Sequence, residues 1–179
     1  MKQDVNEMAK DRYYVAGYVK LAKLWEKNRV HALAYQADYY SQKYSASDEF
    51  ILYDVYVDIT GQKQIYKRPE MLRLLKDCVD GKINCIASQT KAYLAANGQE
   101  FCYFLKLLWD LNSEMEVITE DDNYHIDTIA NAEDQKQALK KMSEDFIRLD
   151  NKAYQEWKKK IMEKVDAIGG KESEDVYGS

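Results

Sequence analysis

The chain has 179 residues, of which 46% are hydrophobic and 32% are charged, and its formal net charge is −5. This composition is typical of a globular protein and excludes extensive disorder, and the negative charge excludes a general electrostatic attraction to DNA or anionic membranes. No apolar run approaches the roughly 18–20 residues of a membrane span. Residues 1–10 lack the apolar segment of a signal peptide, so a cytoplasmic protein is predicted.

The first third of the chain predicts a core strand followed by an amphipathic helix. Residues 1–12 are polar and are interpreted as a lead-in. Residues 13–21, YYVAGYVKL, are β-branched and aromatic, which favours a strand. Gly17 inside this strand indicates a close approach of another part of the protein. Residues 31–44 carry apolar side chains at helical spacing.

Residues 53–87 predict a strand, a helix and a second strand. Residues 53–59 alternate in polarity as a strand does. Pro69, the only proline, suits the first turn of a helix over 69–79. Asp80-Gly81 ends that helix, and residues 83–87 are short and apolar, as in a strand buried on both faces. Two strands joined in this way form a right-handed βαβ unit.

The remaining residues predict a helix over 99–111, a strand over 115–119 and a long helix over 128–168. Residues 169–179 are interpreted as a disordered tail. The expected fold is therefore α/β, with a mainly parallel sheet of about four strands, helices on both faces and a long C-terminal helix. The α/β domain is expected over residues 13–127.

Several short fragments occur in a fixed order: VAGYVKLA at 15–22, ALAYQ at 32–36, YVD at 56–58, TG at 60–61, RP at 68–69 and GKIN at 81–84. Together and at this spacing they resemble the catalytic domain of the serine recombinases, the resolvase and invertase family, over roughly residues 14–157. An unrelated flavodoxin-like sheet is the alternative fold.

The resemblance implies that the family's chemistry has been lost. Ala22 stands at the position of the nucleophilic serine, and a methyl group cannot attack a phosphodiester. Lys20 replaces an arginine, which keeps the charge but loses the bidentate fork. Of the family's active-site set only two residues match, Gln36 and Arg68. The other degenerate positions are Ala92, Tyr93 and Ala96.

Other catalytic groups lack supporting patterns. Hydroxyl groups at Ser41, Ser88 and Thr90 have no nearby activating base and are interpreted as loop or cap residues. A Cys/His dyad is disfavoured because the two histidines and three cysteines are scattered. The acidic loop around Asp121, Asp122 and Asp127 lacks the spacing of a calcium site. No metal and no cofactor is expected.

The predicted C-terminal helix has both a basic and an apolar face. The resemblance implies that such a helix builds a dimer and crosses DNA, with phosphate contacts expected at Lys20, Arg68, Lys158, Lys159 and Lys160. Interleaved acidic residues leave a solvated surface as the alternative. The dimer interface is predicted at Phe146, Leu149, Trp157 and Ile161. A break near Asp150, with the second half folded back in a monomer, is the alternative.

The predicted function is that of a recombinase-like protein without catalysis, a dimeric binding or regulatory module linked to DNA recombination or mobile elements. A homodimer, or a heterodimer with a related recombinase, is expected. The family's separate DNA-binding domain is expected to be absent, because the chain ends at Ser179. The alternative is an active site-specific recombinase, or another phosphoryl-transfer enzyme with a divergent nucleophile.

Overall fold

The computed structural model describes residues 12–177, with side chains as far as residue 169; all but the last residue of the predicted lead-in lies outside this range. Four strands form one parallel sheet in the order β2-β1-β3-β4. They are β1 (Tyr13–Leu21), β2 (Phe50–Ile59), β3 (Cys85–Ser88) and β4 (Glu116–Thr119). The predicted fold class is confirmed.

Within the described residues, six α-helices connect and cover the strands: α1 (Arg29–Tyr44), α2 (Pro69–Val79), α3 (Lys91–Leu94), α4 (Gly98–Leu111), α5 (Gln137–Leu149) and α6 (Asn151–Tyr177). Two 3-10 turns, Lys23–Asn28 and Ile65–Lys67, precede α1 and α2, and a π-helical turn, Ala132–Lys136, leads into α5. None of the helices among residues 12–177 is long and apolar enough to cross a membrane.

The side chains of β1 alternate between two cores. Ala16 and Tyr18 join the larger core with α2 and α4, whereas Val15 and Val19 join a smaller core with Tyr40 of α1. A close approach is present at Gly17, but it is made by a side chain and not by backbone, because a Cβ atom there would lie 2.9 Å from the Tyr40 ring. A glycine is therefore required where α1 crosses β1.

The start of α2 is tied to the end of β2 by a buried carboxylate. Asp58 accepts hydrogen bonds from the backbone N–H groups of Glu70 and Met71, both at 2.9 Å. These groups have no partner inside the helix, so Asp58 satisfies them and its negative charge suits the helix N-terminus. The Tyr18 hydroxyl of β1 donates to the same carboxylate at 2.8 Å. This arrangement determines where Arg68, the residue before α2, must lie.

The long C-terminal helix is confirmed, but its predicted start at Thr128 is wrong. The chain makes turns after Thr128, forms α5, breaks at Asp150 with φ −151° and ψ 69°, and begins α6 at Asn151. The physical reason lies on α4, where Asp110 accepts hydrogen bonds from Tyr154 at 2.6 Å and Lys158 at 3.1 Å. These contacts hold α6 against the domain, as the alternative of a folded-back helix predicts.

Helix α6 contributes to the main core. Ile161 and Val165 are fully buried there, and α6 packs on α2. The helix also continues through Gly169 and Gly170 to Tyr177, so the predicted helix end and disordered tail are wrong up to that residue. A helix that buries its apolar face in its own domain does not project into solvent.

Candidate anion-binding site

A cavity of about 460 Å³ lies at the carboxyl end of the sheet, where open parallel sheets place their sites. Its wall is formed by the end of β1, the loop after β2, helix α3 and the start of α4. We call it the cationic cavity, because four basic residues line it. These are Lys20, Lys63, Arg68 and Lys91.

Arg68 is held rigidly in this cavity. The residue is 1% exposed, and its two Nη atoms donate to the backbone oxygens of Tyr93 and Lys63, both at 2.5 Å. Its Nε atom has no hydrogen-bond partner among the residues that the structure describes. A guanidinium group carries five N–H donors, so Arg68 retains donors for a ligand.

The basic groups of the cavity repel one another. Burial lowers the pKa of Lys20, the positive charges of Arg68 and Lys63 lower it further, and Asp58 opposes the shift. Among the described residues, the Lys20 ammonium forms one hydrogen bond, a long one of 3.4 Å to the backbone oxygen of Thr60. A bound anion would relieve this repulsion, so the cavity is suited to an oxyanion such as phosphate.

The described lining of the cavity contains no hydroxyl or thiol nucleophile. Besides the four basic residues, its lining consists of Phe101, Asn97, Gly98 and the three alanines Ala92, Ala95 and Ala96. No hydroxyl, thiol, imidazole or carboxylate belongs to it within the described part of the chain. Ala22 directly follows β1 and is exposed. Lys20, Arg68, Ala92 and Ala96, which the resemblance assigned to one site, thus line one cavity.

The alternative nucleophiles have structural partners. The Ser88 hydroxyl is buried and donates to the backbone oxygen of Tyr18 at 2.7 Å. Thr90 accepts a hydrogen bond from the backbone N–H of Ala92 and caps α3. Ser41 lies exposed on α1. None of the three lines the cationic cavity.

Gln36 lies outside the cavity. It lines a separate apolar groove with Leu21, Trp25 and Tyr35, on the α1 side of β1. The sequence resemblance grouped Gln36 with Arg68, but the structure places the two side chains in different depressions. Lys63 and Lys91 of the cavity were missed, because no motif distinguishes them from other surface lysines.

The lysines predicted on the C-terminal helix have different surroundings. Lys158 forms an ion pair with Asp110 at 3.1 Å, and Lys159 is exposed. Lys160 instead joins a group that we call the Tyr66 cluster: the ammonium groups of Lys67, Lys160 and Lys164 lie 5.5, 5.7 and 5.1 Å from the centre of the Tyr66 ring. Within the described residues, none of these three lysines forms an ion pair with a carboxylate. The cluster therefore gathers three ammonium groups around one ring, although Glu70, Glu100 and Glu156 line the neighbouring depressions.

The predicted dimer residues separate into two groups. Ile161 is fully buried in the chain's own core, so its assignment to an interface is corrected. Trp157 is half-buried and packs on Tyr103. Phe146 and Leu149 on α5 are 38% and 85% exposed.

No group of three or more potential metal-binding side chains occurs among the described residues. In the acidic loop, Asp121 accepts from the backbone N–H of Lys91, and Asp127 accepts from those of Ile129 and Ala130. The three cysteines are free and buried. Burial raises the pKa of Cys85, the opposite of a reactive thiol.

No protein-family model and no curated protein matches the chain. Among solved structures, it is similar to the N-terminal catalytic domain of TP901-1 integrase, with a TM-score of 0.53 and 17% identity over 76% of this chain and 98% of that one. The C-terminal catalytic domain of ISC1926 TnpA, an IS607-like serine recombinase, has a TM-score of 0.43 and 19% identity over 68% of this chain and 76% of that one. The first of these two structures confirms the resemblance at the level of the fold.

Proposed function

We propose that this protein is a recombinase-like binding module that holds nucleic-acid phosphates without cleaving the strand. One observation carries the proposal. The cationic cavity combines four basic side chains with a lining of alanines, glycine, asparagine and phenylalanine, and its described lining contains no hydroxyl or thiol group that could serve as the nucleophile of strand cleavage.

The cavity has the properties of a phosphate-binding site. The Arg68 guanidinium is positioned by two backbone oxygens, so little side-chain entropy is lost when it binds a ligand. The start of α4 at Gly98 also lines the cavity, and a helix N-terminus favours an anion. Positioned cations of this kind bind a phosphodiester whether or not a nucleophile is present.

The Tyr66 cluster extends the basic surface. Lys63 lines the cationic cavity, and Tyr66 and Lys67 follow it in the same loop. Lys160 and Lys164 face that loop from α6, and Lys164 donates to the backbone oxygen of Tyr66 at 2.8 Å. The proposed path of a nucleic-acid backbone runs from the cavity across this loop to α6, so it crosses basic groups although the whole chain is acidic.

Self-association completes the proposed function. Met142, Phe146 and Leu149 recur at helical spacing on α5 and are 44%, 38% and 85% exposed. A second copy of the chain, or a related recombinase, would cover this apolar stripe. The proposed interface therefore keeps Phe146 and Leu149 of the predicted set, which lie on α5, and leaves out Trp157 and Ile161 of α6.

An active recombinase with a divergent nucleophile is the competing function. It would require a hydroxyl group to enter the cationic cavity, and the nearest candidates by sequence, Ser88 and Thr90, are engaged in the hydrogen bonds described above. No observation on the described residues favours this alternative.

Charge-reversal variants test the proposed DNA path. Binding of a random-sequence DNA duplex is measured at several salt concentrations for the wild type and for Lys63→Glu, Lys160→Glu and Lys164→Glu. Each variant should weaken binding and reduce the salt dependence by about one counterion. Lys159→Glu is the matched control, because it changes the same charge on α6 outside the cluster. Equal losses in Lys159→Glu and Lys160→Glu, or no binding by the wild type, would contradict the proposed path.

A further inference from the structure

A second depression, which we call the aromatic groove, flanks the same strand end as the cationic cavity. It encloses about 400 Å³ and is lined by Leu21, Trp25, His31, Ala32, Tyr35 and Gln36. Lys20 lines the cavity and Leu21 lines the groove. Consecutive strand residues point to opposite faces of a sheet, so the two depressions lie on either side of the end of β1.

The groove leaves large aromatic side chains in water. Trp25 is 45% exposed and Tyr35 is 66% exposed, with Leu24 and Val30 beside them at 71% and 79%. No residue of the 3-10 turn Lys23–Asn28 is buried. Exposed apolar side chains concentrated in one short segment indicate a binding surface. Trp and Tyr rings in such a surface are suited to stacking on another flat ring.

Gln36 supplies an unsatisfied polar group at this groove. The residue is 7% exposed, and its Oε1 atom has no hydrogen-bond partner among the described residues. A buried amide oxygen without a partner is unfavourable, so a ligand that donates a hydrogen bond would stabilise it. A glutamine carboxamide offers an acceptor beside two donors, which matches the paired groups on the edge of adenine.

We propose that the aromatic groove binds a single unstacked nucleobase, with its ring against Trp25 and Tyr35 and its amino edge on the Gln36 amide. An apolar peptide side chain would meet the same rings. The cationic cavity at the same strand end instead favours a ligand that carries phosphate near a ring system. The choice of a nucleobase as the ligand therefore rests on the proposed function, because it uses the phosphate-binding cavity. Binding of a base in the groove is itself a separate property and can be tested without the cavity.

Isothermal titration calorimetry with four probes separates the two sites. Adenosine lacks the phosphate and ribose 5-phosphate lacks the base. AMP carries both groups, and single-stranded (dA)6 presents them in a nucleic-acid strand. Adenosine should bind the wild type at millimolar concentration or below. Trp25→Ala should weaken its binding at least about fivefold, the loss typical of base stacking. Gln36→Leu should weaken it as well. Tyr53→Ala is the matched control, because Tyr53 is 42% exposed and does not line the groove.

Variants of the cavity distinguish the two proposals. Lys63→Glu should weaken binding of ribose 5-phosphate and AMP and leave adenosine unchanged. Tighter binding of (dA)6 than of AMP assigns a nucleic-acid strand to the groove, and the reverse order assigns a free nucleotide.

If adenosine does not bind, or binds Trp25→Ala as well as the wild type, the groove proposal is wrong. Trp25 is half-exposed, so Trp25→Ala should fold normally. The test therefore stands even if the variant of the buried Gln36 fails to fold. If the wild type binds adenosine but not ribose 5-phosphate, the cationic cavity is contradicted and the groove proposal stands.

Discussion

The guanidinium of Arg68 donates to the backbone oxygen of Tyr93 at 2.5 Å, which joins the start of α2 to helix α3. The two residues lie 25 positions apart in the chain. Arg68 is 1% exposed, and this hydrogen bond and the one to the backbone oxygen of Lys63 are both partly buried. Arg68 therefore supports the cavity wall as well as supplying its charge.

Replacement of Arg68 should lower stability. Arg68→Met keeps the length of the side chain but removes both donors, and the loss of two hydrogen bonds from a charged group should cost about 2–4 kcal/mol. Urea denaturation followed by circular dichroism measures the free energy of unfolding. Arg148→Met is the control, because the Arg148 side chain is 77% exposed. Equal stability of the two variants would show that the Arg68 hydrogen bonds contribute nothing.

The contact of Gly17 with Tyr40 gives a second stability prediction. Gly17→Ala would place a Cβ atom 2.9 Å from the Tyr40 ring, which is fully buried, so overpacking should cost about 1–3 kcal/mol. The thermal midpoint of Gly61→Ala should change little, because nothing lies within 4 Å of a Cβ atom there. Adding Tyr40→Leu to Gly17→Ala should recover part of the loss. If Gly17→Ala is as stable as the wild type, α1 does not cross β1 this closely.

The contacts of Asp110 predict a pH dependence of the α6 packing. Burial raises the pKa of Asp110, but hydrogen bonds from Lys106, Tyr154 and Lys158 outweigh burial and hold that pKa below its usual value. A carboxyl group with a depressed pKa in the folded state stabilises the protein above its unfolded pKa of about 3.9. This contribution is lost as the pH falls through the lower folded pKa.

The variant Asp110→Asn measures that contribution. The wild type should be more stable than Asp110→Asn at pH 6, and the difference should decrease below about pH 4. Thermal unfolding at a series of pH values is the measurement. Asp145→Asn is the control, since the Asp145 side chain is 50% exposed and pairs only with Arg148 on its own helix. A difference that stays constant down to pH 2 would show that Asp110 is not charged in these contacts.

The apolar stripe on α5 predicts the oligomeric state. The wild type should show about twice the monomer mass of 21.0 kDa in light scattering at micromolar concentration. Leu149→Asp should shift the protein towards the monomer, whereas Leu24→Asp, a change at a similarly exposed leucine, should not. Trp157→Asp should lower stability, because Trp157 packs within the chain. A mass near 21 kDa at every concentration would exclude a homodimer.

Local sequence patterns predicted most of the fold. The bounds of β1 were predicted at Tyr13 and Leu21, and α2 begins at Pro69 as expected. Apolar periodicity and proline determine the structure of the few residues around them, so a local sequence pattern is sufficient for both elements. The break at Asp150 was not determined locally. It is stabilised by Asp110, a residue 40 positions earlier, and no periodic pattern reports such a contact.

The candidate site was predictable only where the resemblance supplied positions. Lys20, Arg68 and Ala96 come together in the cationic cavity because they follow strands whose carboxyl ends share one edge of the sheet. The Tyr66 cluster was missed, since Lys160 and Lys164 reach Tyr66 only after α6 folds back. Gln36 was placed in the wrong depression, because sequence spacing does not reveal which face of the sheet a helix covers.

A search for a covalent protein–DNA adduct tests the absence of strand cleavage most directly. The protein is incubated with a library of random-sequence duplexes that carry nicks to trap cleaved strands, and the products are separated on a denaturing gel. For the wild type, we expect duplex binding on a native gel and no adduct or cut strand on the denaturing gel. We expect the same for Ala22→Ser, because Tyr93 and Ala96 still stand where the resembled family has arginines. An adduct with the wild-type protein would contradict the proposed function, and mass spectrometry of that adduct would identify the nucleophile.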